Sequence, residues 1–411
     1  MFINYFTSRG RETLVMPVEL KKIPEKMPIP EPPSVFRWIV TVALITVLGA
    51  ILALFLWPKE MPTDSAWFWF CILVIPFSVG LTSYAFRLRV YENERDRLNY
   101  WNQLHQEQHD IQVKKGQRPA GLLGKAFVTP VASNKLASAL INYGSQLQSF
   151  YFAGLQQTLT TAWLEPFHLN FSKETYRKRL TCYLTRVLHM LEPDLSALPT
   201  DKLSVRVRHD GVLDNAQIRC IWQDIFPSSY VIDKFVTETE DDGIMWLDTW
   251  LDQNAASLML SVEINLFVVP RNYQSESVSA LLLGSPAWLA QNDIKPEVVI
   301  HRPVIATEDS QTLEDMLCWG RLTADEVHTL WQWQVNKEAL TRLIQQSEKL
   351  GYLPGRNESY MAGDLFGHPG VAAGNIALIC ASEHAVASDK PQWVMMTDQT
   401  THQAIVRQSE H

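Results

Sequence analysis

Two apolar runs near the start of the chain constrain it more than any other feature. The first, residues 35–57, reads VFRWIVTVALITVLGAILALFLW and holds a single charge, Arg37. The second, residues 66–86, reads AWFWFCILVIPFSVGLTSYAF and holds none. Each is close to the roughly 20 residues that cross a hydrocarbon core as a helix. Helices are required there, because lipid offers no partner to an exposed backbone N–H or C=O. Arg37 is near enough to one end to snorkel into the headgroup layer. Trp38, Trp57, Trp67 and Trp69 stand near the ends of the runs, where aromatic belts form. Pro76 predicts a kink in the second run, which a membrane helix tolerates. No small-residue cleavage site follows the first run, so a removable signal is not expected.

Basic residues set the expected orientation. Arg9, Arg11, Lys21, Lys22 and Lys26 precede the first run, and Arg87, Arg89, Arg95 and Arg97 follow the second. The segment between them, PKEMPTDS, sets Lys59 against Glu60 and Asp64. The positive-inside rule puts both tails in the cytoplasm, here of a bacterial inner membrane, and the short loop outside. The expected organisation is a tail with a proline-rich spacer at 1–34, spans at 35–57 and 66–86 around an external loop at 58–65, a helical stalk and linker at 87–125, and a cytoplasmic α/β domain at 126–411. The spacer IPEKMPIPEPP suits polyproline II. The preceding FINYF and ETLVMPVEL either pack on the domain or lie on the membrane surface.

Composition narrows the function classes. A net charge of −8 argues against nucleic acid as a partner. Five scattered cysteines, Cys71, Cys182, Cys220, Cys318 and Cys380, form no C-x-x-C pair. They fit a reducing compartment and signal neither a zinc knuckle nor a thioredoxin-type site. GQRPAGLLGK at 116–125 has two residues, not four, between Gly121 and Gly124-Lys125, which is wrong for a phosphate loop. His105 and His109 share a helix face, but HQEQH is not the metalloprotease pattern and no third ligand is indicated. No cofactor or metal is therefore expected. The acidic run from Glu238 to Asp242 reads as an exposed loop, or as a patch for a basic partner. Trp319, Trp331 and Trp333 read as core, or as an aromatic interface.

Beyond residue 126, short strands take turns with helices, which predicts a layered α/β domain. Strands are expected at 204–207, 258–269, 279–283, 298–301 and 393–397. Helices are expected at 173–191, 214–224, 241–254, 310–318, 337–350 and 371–387. The run SLMLSVEINLFVV is apolar enough for a strand covered on both faces. No internal repeat is evident.

GDLFGHPGVAAGNIALICASEHA at 363–385 resembles a motif of the thiolase and β-ketoacyl synthase superfamily, a glycine-histidine turn running into a small-residue helix. The matching residues are Gly367, His368, Gly370, Ala372, Ala373 and Gly374. The resemblance, carried by this one specific motif, covers residues 200–411. It implies a thiolase-like fold, a helix packed closely on its sheet, a histidine aimed at an acyl site, and a homodimer. QWVMMTDQTTHQAIVR would then be the closing strand pair. The family's nucleophilic cysteine has no counterpart in DDGIMWLDTWLDQNAAS, and its second histidine turn has none in TLWQWQVNKEAL. Without a thiolate, acyl transfer has no attacking species. The resemblance therefore implies a degenerate copy, with Gly367, His368, Gly370 and Gly374 as a vestigial site. On another reading His368 simply orders the turn. The hairpin-plus-domain layout also resembles accessory inner-membrane proteins of type VI secretion clusters.

The expected function is thus a non-catalytic membrane-anchored scaffold that docks a cytoplasmic protein. The alternative is an acyl-transfer or acyl-binding protein, which as an enzyme would need Cys220 or Cys318 close to His368.

Overall fold

The computed structural model describes residues 20, 23, 25–58, 61–165, 171–199, 202–240, 243–253, 255–352 and 358–409. FINYF, most of ETLVMPVEL, Asp241, Asp242 and Asn254 lie outside them. The described chain forms two units, residues 20–112 and residues from Val113 onward.

The smaller unit is built on long apolar helices. Helix α1 spans Val35–Leu56, and a second helical rod runs Ala66–Gly116. Both are long and apolar enough to cross a membrane. The rod consists of α2 (Ala66–Trp69), a π-helical stretch Phe70–Val74, and α3 (Ile75–Gly116). The π stretch ends where Pro76 brings a ring and no N–H, the usual cause of such an irregularity. Thr41, Thr46, Ser78, Thr82 and Ser83 each donate their hydroxyl to the carbonyl four residues back, so these five hydroxyls need no water. Gly49 leaves room for Pro76, and Gly80 for Val42, as small residues do where membrane helices touch. GQRPAGLLGK holds the last residue of α3, a short irregular link at 117–119 and the start of a strand.

The larger unit begins with β1 (Ala120–Val128), α4 (Leu136–Tyr143), β2 (Gln148–Phe152), β3 (Gln157–Thr161) and α5 (Lys173–Ser196). There follow β4 (Leu203–His209), α6 (Asn215–Ile225), β5 (Ile232–Glu238), α7 (Trp246–Asp252), β6 (Leu258–Asn265) and β7 (Ser277–Gly284). Next come α8 (Pro286–Asn292), β8 (Val298–Ile300), β9 (Val304–Ile305), α9 (Ser310–Trp319), β10 (Thr329–Trp333) and α10 (Lys337–Lys349). The chain closes with β11 (Ser359–Met361), α11 (Ala362–Phe366), α12 (Ala373–Ser388), β12 (Gln392–Thr397) and β13 (Thr401–Gln408). The expected strands and helices fall on these elements. β1 runs through the boundary expected at 125/126. β10 takes up TLWQW, the start of the stretch in which the family's second histidine turn has no counterpart.

One mixed sheet takes the order β11-β10-β12-β13-β8-β1-β7-β6-β4-β5, with β9 beside β13. The antiparallel pair β1·β8 divides it into halves. The first half runs β1, β7, β6, β4, β5 outward, and the second runs β8, β13, β12, β10, β11. In each half, the last strand in the chain lies antiparallel between the first and fourth, and the fourth, second and third are parallel. Strand order and direction are therefore duplicated, although no repeat is visible in the sequence. Strand pairing asks only for alternating burial, which unrelated side chains can supply.

Side-chain alternation separates two cores. Leu203, Val205, Val207, Leu258, Leu260, Val262 and Ile264 pack with Leu180, Leu184, Val187 and Leu191 of α5 and with Ile221 and Trp222 of α6. The α5 positions recur at helical spacing, so one stripe is apolar. Ser172 and Asp214 cap α5 and α6, the latter in a capping box. The second core joins α4, α7 and α12 to Leu281, Leu283, Trp331, Trp333, Val394 and Met396. The helical stretch Gly370–Ser388, which contains α12, is long and apolar enough to span a membrane by composition, but most of it is buried inside this unit. Trp319, Trp331 and Trp333 are buried core residues.

Candidate functional site

The three glycines of the glycine-histidine motif each answer a local demand. Gly367 has φ +89° and Gly370 has φ +54°, backbone that side chains resist. A Cβ at Gly370 would also meet the Asn265 amide, and one at Gly367 the Leu147 side chain. Gly374 is different: a Cβ there would stand 2.9 Å from a Glu263 oxygen and 3.2 Å from the Gly243 carbonyl. Close approach of α12 to β6 fixes that glycine.

His368 is held by its backbone. Its N–H donates to Tyr273 (2.9 Å) and its carbonyl accepts from Ser275 N–H (3.0 Å). That segment also pairs with Ala162, just past β3, so the turn extends a small ladder beginning in the β2–β3 hairpin. The His368 residue itself is exposed.

Behind this turn lies a buried polar cluster that the sequence did not flag. Arg206 and Arg208 project from one side of β4, and Ser261 and Glu263 from one side of β6. All four are buried, Glu263 completely. Arg206 donates to Glu238 (3.2 Å), Ser261 Oγ (3.4 Å) and Glu263 (3.4 Å), and lies 4.7 Å over the Trp246 ring. Glu263 also accepts from the Asn375 N–H (2.7 Å) in the first turn of α12, where the helix dipole favours an anion. Asn375 completes the link with amide bonds to Ser261. Arg208 reaches Asp398 in the β12–β13 turn. His402, buried in the same turn region, would lie 2.9 Å from a Cβ placed on Gly243. The cluster thus draws on both halves of the sheet.

Its electrostatics follow from burial. Burial pushes the Glu263 carboxyl up from its ordinary value, against the opposing pull of Arg206, Arg208 and the Asn375 N–H. Burial likewise lowers Arg206, which Glu263 and Glu238 hold up. Removing either partner would strand the other charge in the interior. Glu238 is therefore an anchor for Arg206 rather than part of a free acidic loop.

Among the described residues, no contact brings a thiol to the glycine-histidine turn. α7 begins at Met245-Trp246 with no thiol among its described residues. Cys220 is exposed on α6, and Cys318 lies 3.9 Å from the Gln117 amide. No described contact joins either cysteine to His368. His105 and His109 lie on α3, and among the described residues no three metal-ligating side chains gather. A lone acid in the apolar run SVEINL was the available signal for the cluster, because a buried carboxylate must find partners.

No family model and no curated protein sequence matches the chain. Among solved structures, the PfaC keto synthase–chain length factor aligns at 10% identity with a TM-score of 0.50, covering 72% of this chain and 43% of that one. The fold is thiolase-like. The ishigamide ketosynthase/chain length factor aligns at 13% identity and TM-score 0.49, over 71% of this chain and all of its own. A type II ketosynthase in complex with its acyl-carrier protein aligns at 12% and 0.48, over 72% and 100%. At such identities the likeness is one of fold. It extends past the 200–411 stretch in which the sequence resemblance lay.

Proposed function

We propose that this is a non-catalytic thiolase-like protein, held at a membrane by its helical hairpin, that recognises an acyl-bearing partner without transferring the acyl group. One observation carries the reading. Where Gly243, β4, β6 and the start of α12 converge, the interior is filled by the paired charges of Arg206 with Glu263 and Glu238 and of Arg208 with Asp398, and no thiol is among them. A fold related to ketosynthases supports acyl recognition. A filled interior without a nucleophile opposes acyl transfer. The basic flanks of the apolar helices support a cytoplasmic position for the thiolase-like domain. A secretion-cluster role rests on layout alone and gains nothing from the fold.

Native mass spectrometry of the full chain, solubilised in detergent and mixed with a long-chain acyl-coenzyme A, tests the reading. A non-covalent one-to-one adduct that leaves the protein mass unchanged on denaturation is expected. No adduct would refute acyl recognition, and a retained acyl increment would refute its non-catalytic character.

A further inference from the structure

We propose that the helical hairpin carries a binding groove for one anionic phospholipid of the bilayer, with an acyl chain between the helices and the headgroup on arginines at the cytoplasmic end. The proposal rests on the membrane reading of the hairpin and adds a ligand to it. A groove of about 550 Å³ runs along α1 and α3, within the roughly 300–1,000 Å³ of small-molecule sites. Its walls are almost wholly apolar: Trp38, Val42 and Thr46 from α1, and Phe77, Leu81 and Tyr84 from α3. Thr46 is the one hydroxyl on α1's wall, and it is turned back onto the Val42 carbonyl. The remaining polar atoms, the Trp38 indole N–H and the Tyr84 hydroxyl, belong to the two rings at the arginine-flanked end, so along the rest of its length the groove matches a hydrocarbon chain.

The mouth has the opposite chemistry. The Trp38 and Tyr84 rings meet tilted, 5.6 Å apart, at the arginine-flanked end, where amphipathic rings sit at headgroup level. Arg37 adjoins Trp38, and Arg87 follows Tyr84 by three residues, which places it next along the same helix side. Arg37, Arg87 and Arg89 are exposed. Farther along α3 the pattern changes: Arg95 pairs with Asp96 and Arg97 with Glu94. The arginines at the groove are placed for a phosphate, which guanidinium groups bind in bidentate fashion.

The test uses the full chain reconstituted in nanodiscs holding equal phosphatidylglycerol and phosphatidylcholine, then released for native mass spectrometry. One retained phosphatidylglycerol per chain is expected, at least fivefold over phosphatidylcholine. Ala43→Trp, which fills the groove, should abolish retention. Arg37→Glu with Arg87→Glu should abolish the headgroup preference and keep a chain bound. Equal retention of both lipids by the wild type, or retention unchanged in Ala43→Trp, would overturn the proposal. So would copy-to-copy crosslinking through a cysteine at position 43, which would give the groove to a second hairpin. Failure of the chain to float with vesicles would overturn the membrane reading itself; floating without lipid selectivity would sink the lipid site alone.

Discussion

In the first half of the sheet, the strand sides that meet α12 carry Ser261 and Glu263, with Arg206 and Arg208 alongside. The corresponding strands of the second half bring Trp331, Trp333, Val394 and Met396 to the same core. Strand order and direction are the same in both. One helix is therefore held on one side by hydrogen bonds from Asn375 to a face laced with ion pairs, and on the other by aromatic and aliphatic packing. The difference teaches that the fold is set by backbone pairing and by the apolar alternation of the strands. The chemistry of the inner face is left free, and the two halves differ there.

The comparison breaks most visibly at Glu263. Glu263→Ala removes the carboxylate that Arg206 and the α12 N-terminus share, and should cost about 3–5 kcal/mol in denaturant unfolding. Replacing the pair together, Arg206→Met with Glu263→Leu, should recover most of that loss, making the first half resemble the second. If the double variant were as unstable as the single one, ion pairing would not be what distinguishes the halves.

Gly374→Ala pushes α12 away from the charged face only. It should cost about 1–3 kcal/mol, read as a lowered melting temperature, because Glu263 and the Gly243 carbonyl occupy the space.

The second half responds to acid through His301, just after β8. Burial, with Arg407 and Arg321 nearby, pushes its pKa down to about 3. The unfolded chain, with an ordinary value near 6.5, binds this proton first. Stability from this group is complete above that value and is lost as pH falls toward 3, by up to about 1.4 kcal/mol per unit. Raised carboxyls such as Glu263 and Glu276 act in the opposite sense, losing stability as pH rises above their ordinary range. His301→Gln should flatten the slope of unfolding free energy between pH 6 and 5 by about 1 kcal/mol. An unchanged slope would remove His301 from the account.

His368→Ala should change stability by less than about 0.5 kcal/mol, since the exposed ring is not what holds the turn. A larger loss would show that the ring, and not the backbone, does the ordering.

Much of the fold was legible because periodicity was strong. The helices at 173–191 and 214–224 and the apolar run of β6 could be placed from the sequence. β1 could not, because AGLLGKAFV carries two glycines and a lysine, poor strand formers. Those glycines are demanded by contacts remote in sequence: Leu289 and Pro296 at Gly121, and Asp194 at Gly124 beside a register shift. The duplication was invisible because pairing leaves no residue signature. Of the candidate site, the glycine-histidine turn could be read directly. The charged interior could not, since VRVRH looks like any strand with a wet face until Glu263, Glu238 and Asp398 are brought beside it.

The non-catalytic character of this thiolase-like chain is tested most directly by intact mass after exposure to a thiol-reactive acyl thioester. The account predicts no stoichiometric acylation of any cysteine, and no difference between the wild type and His368→Ala. Complete labelling of one cysteine, lost in His368→Ala, would contradict it.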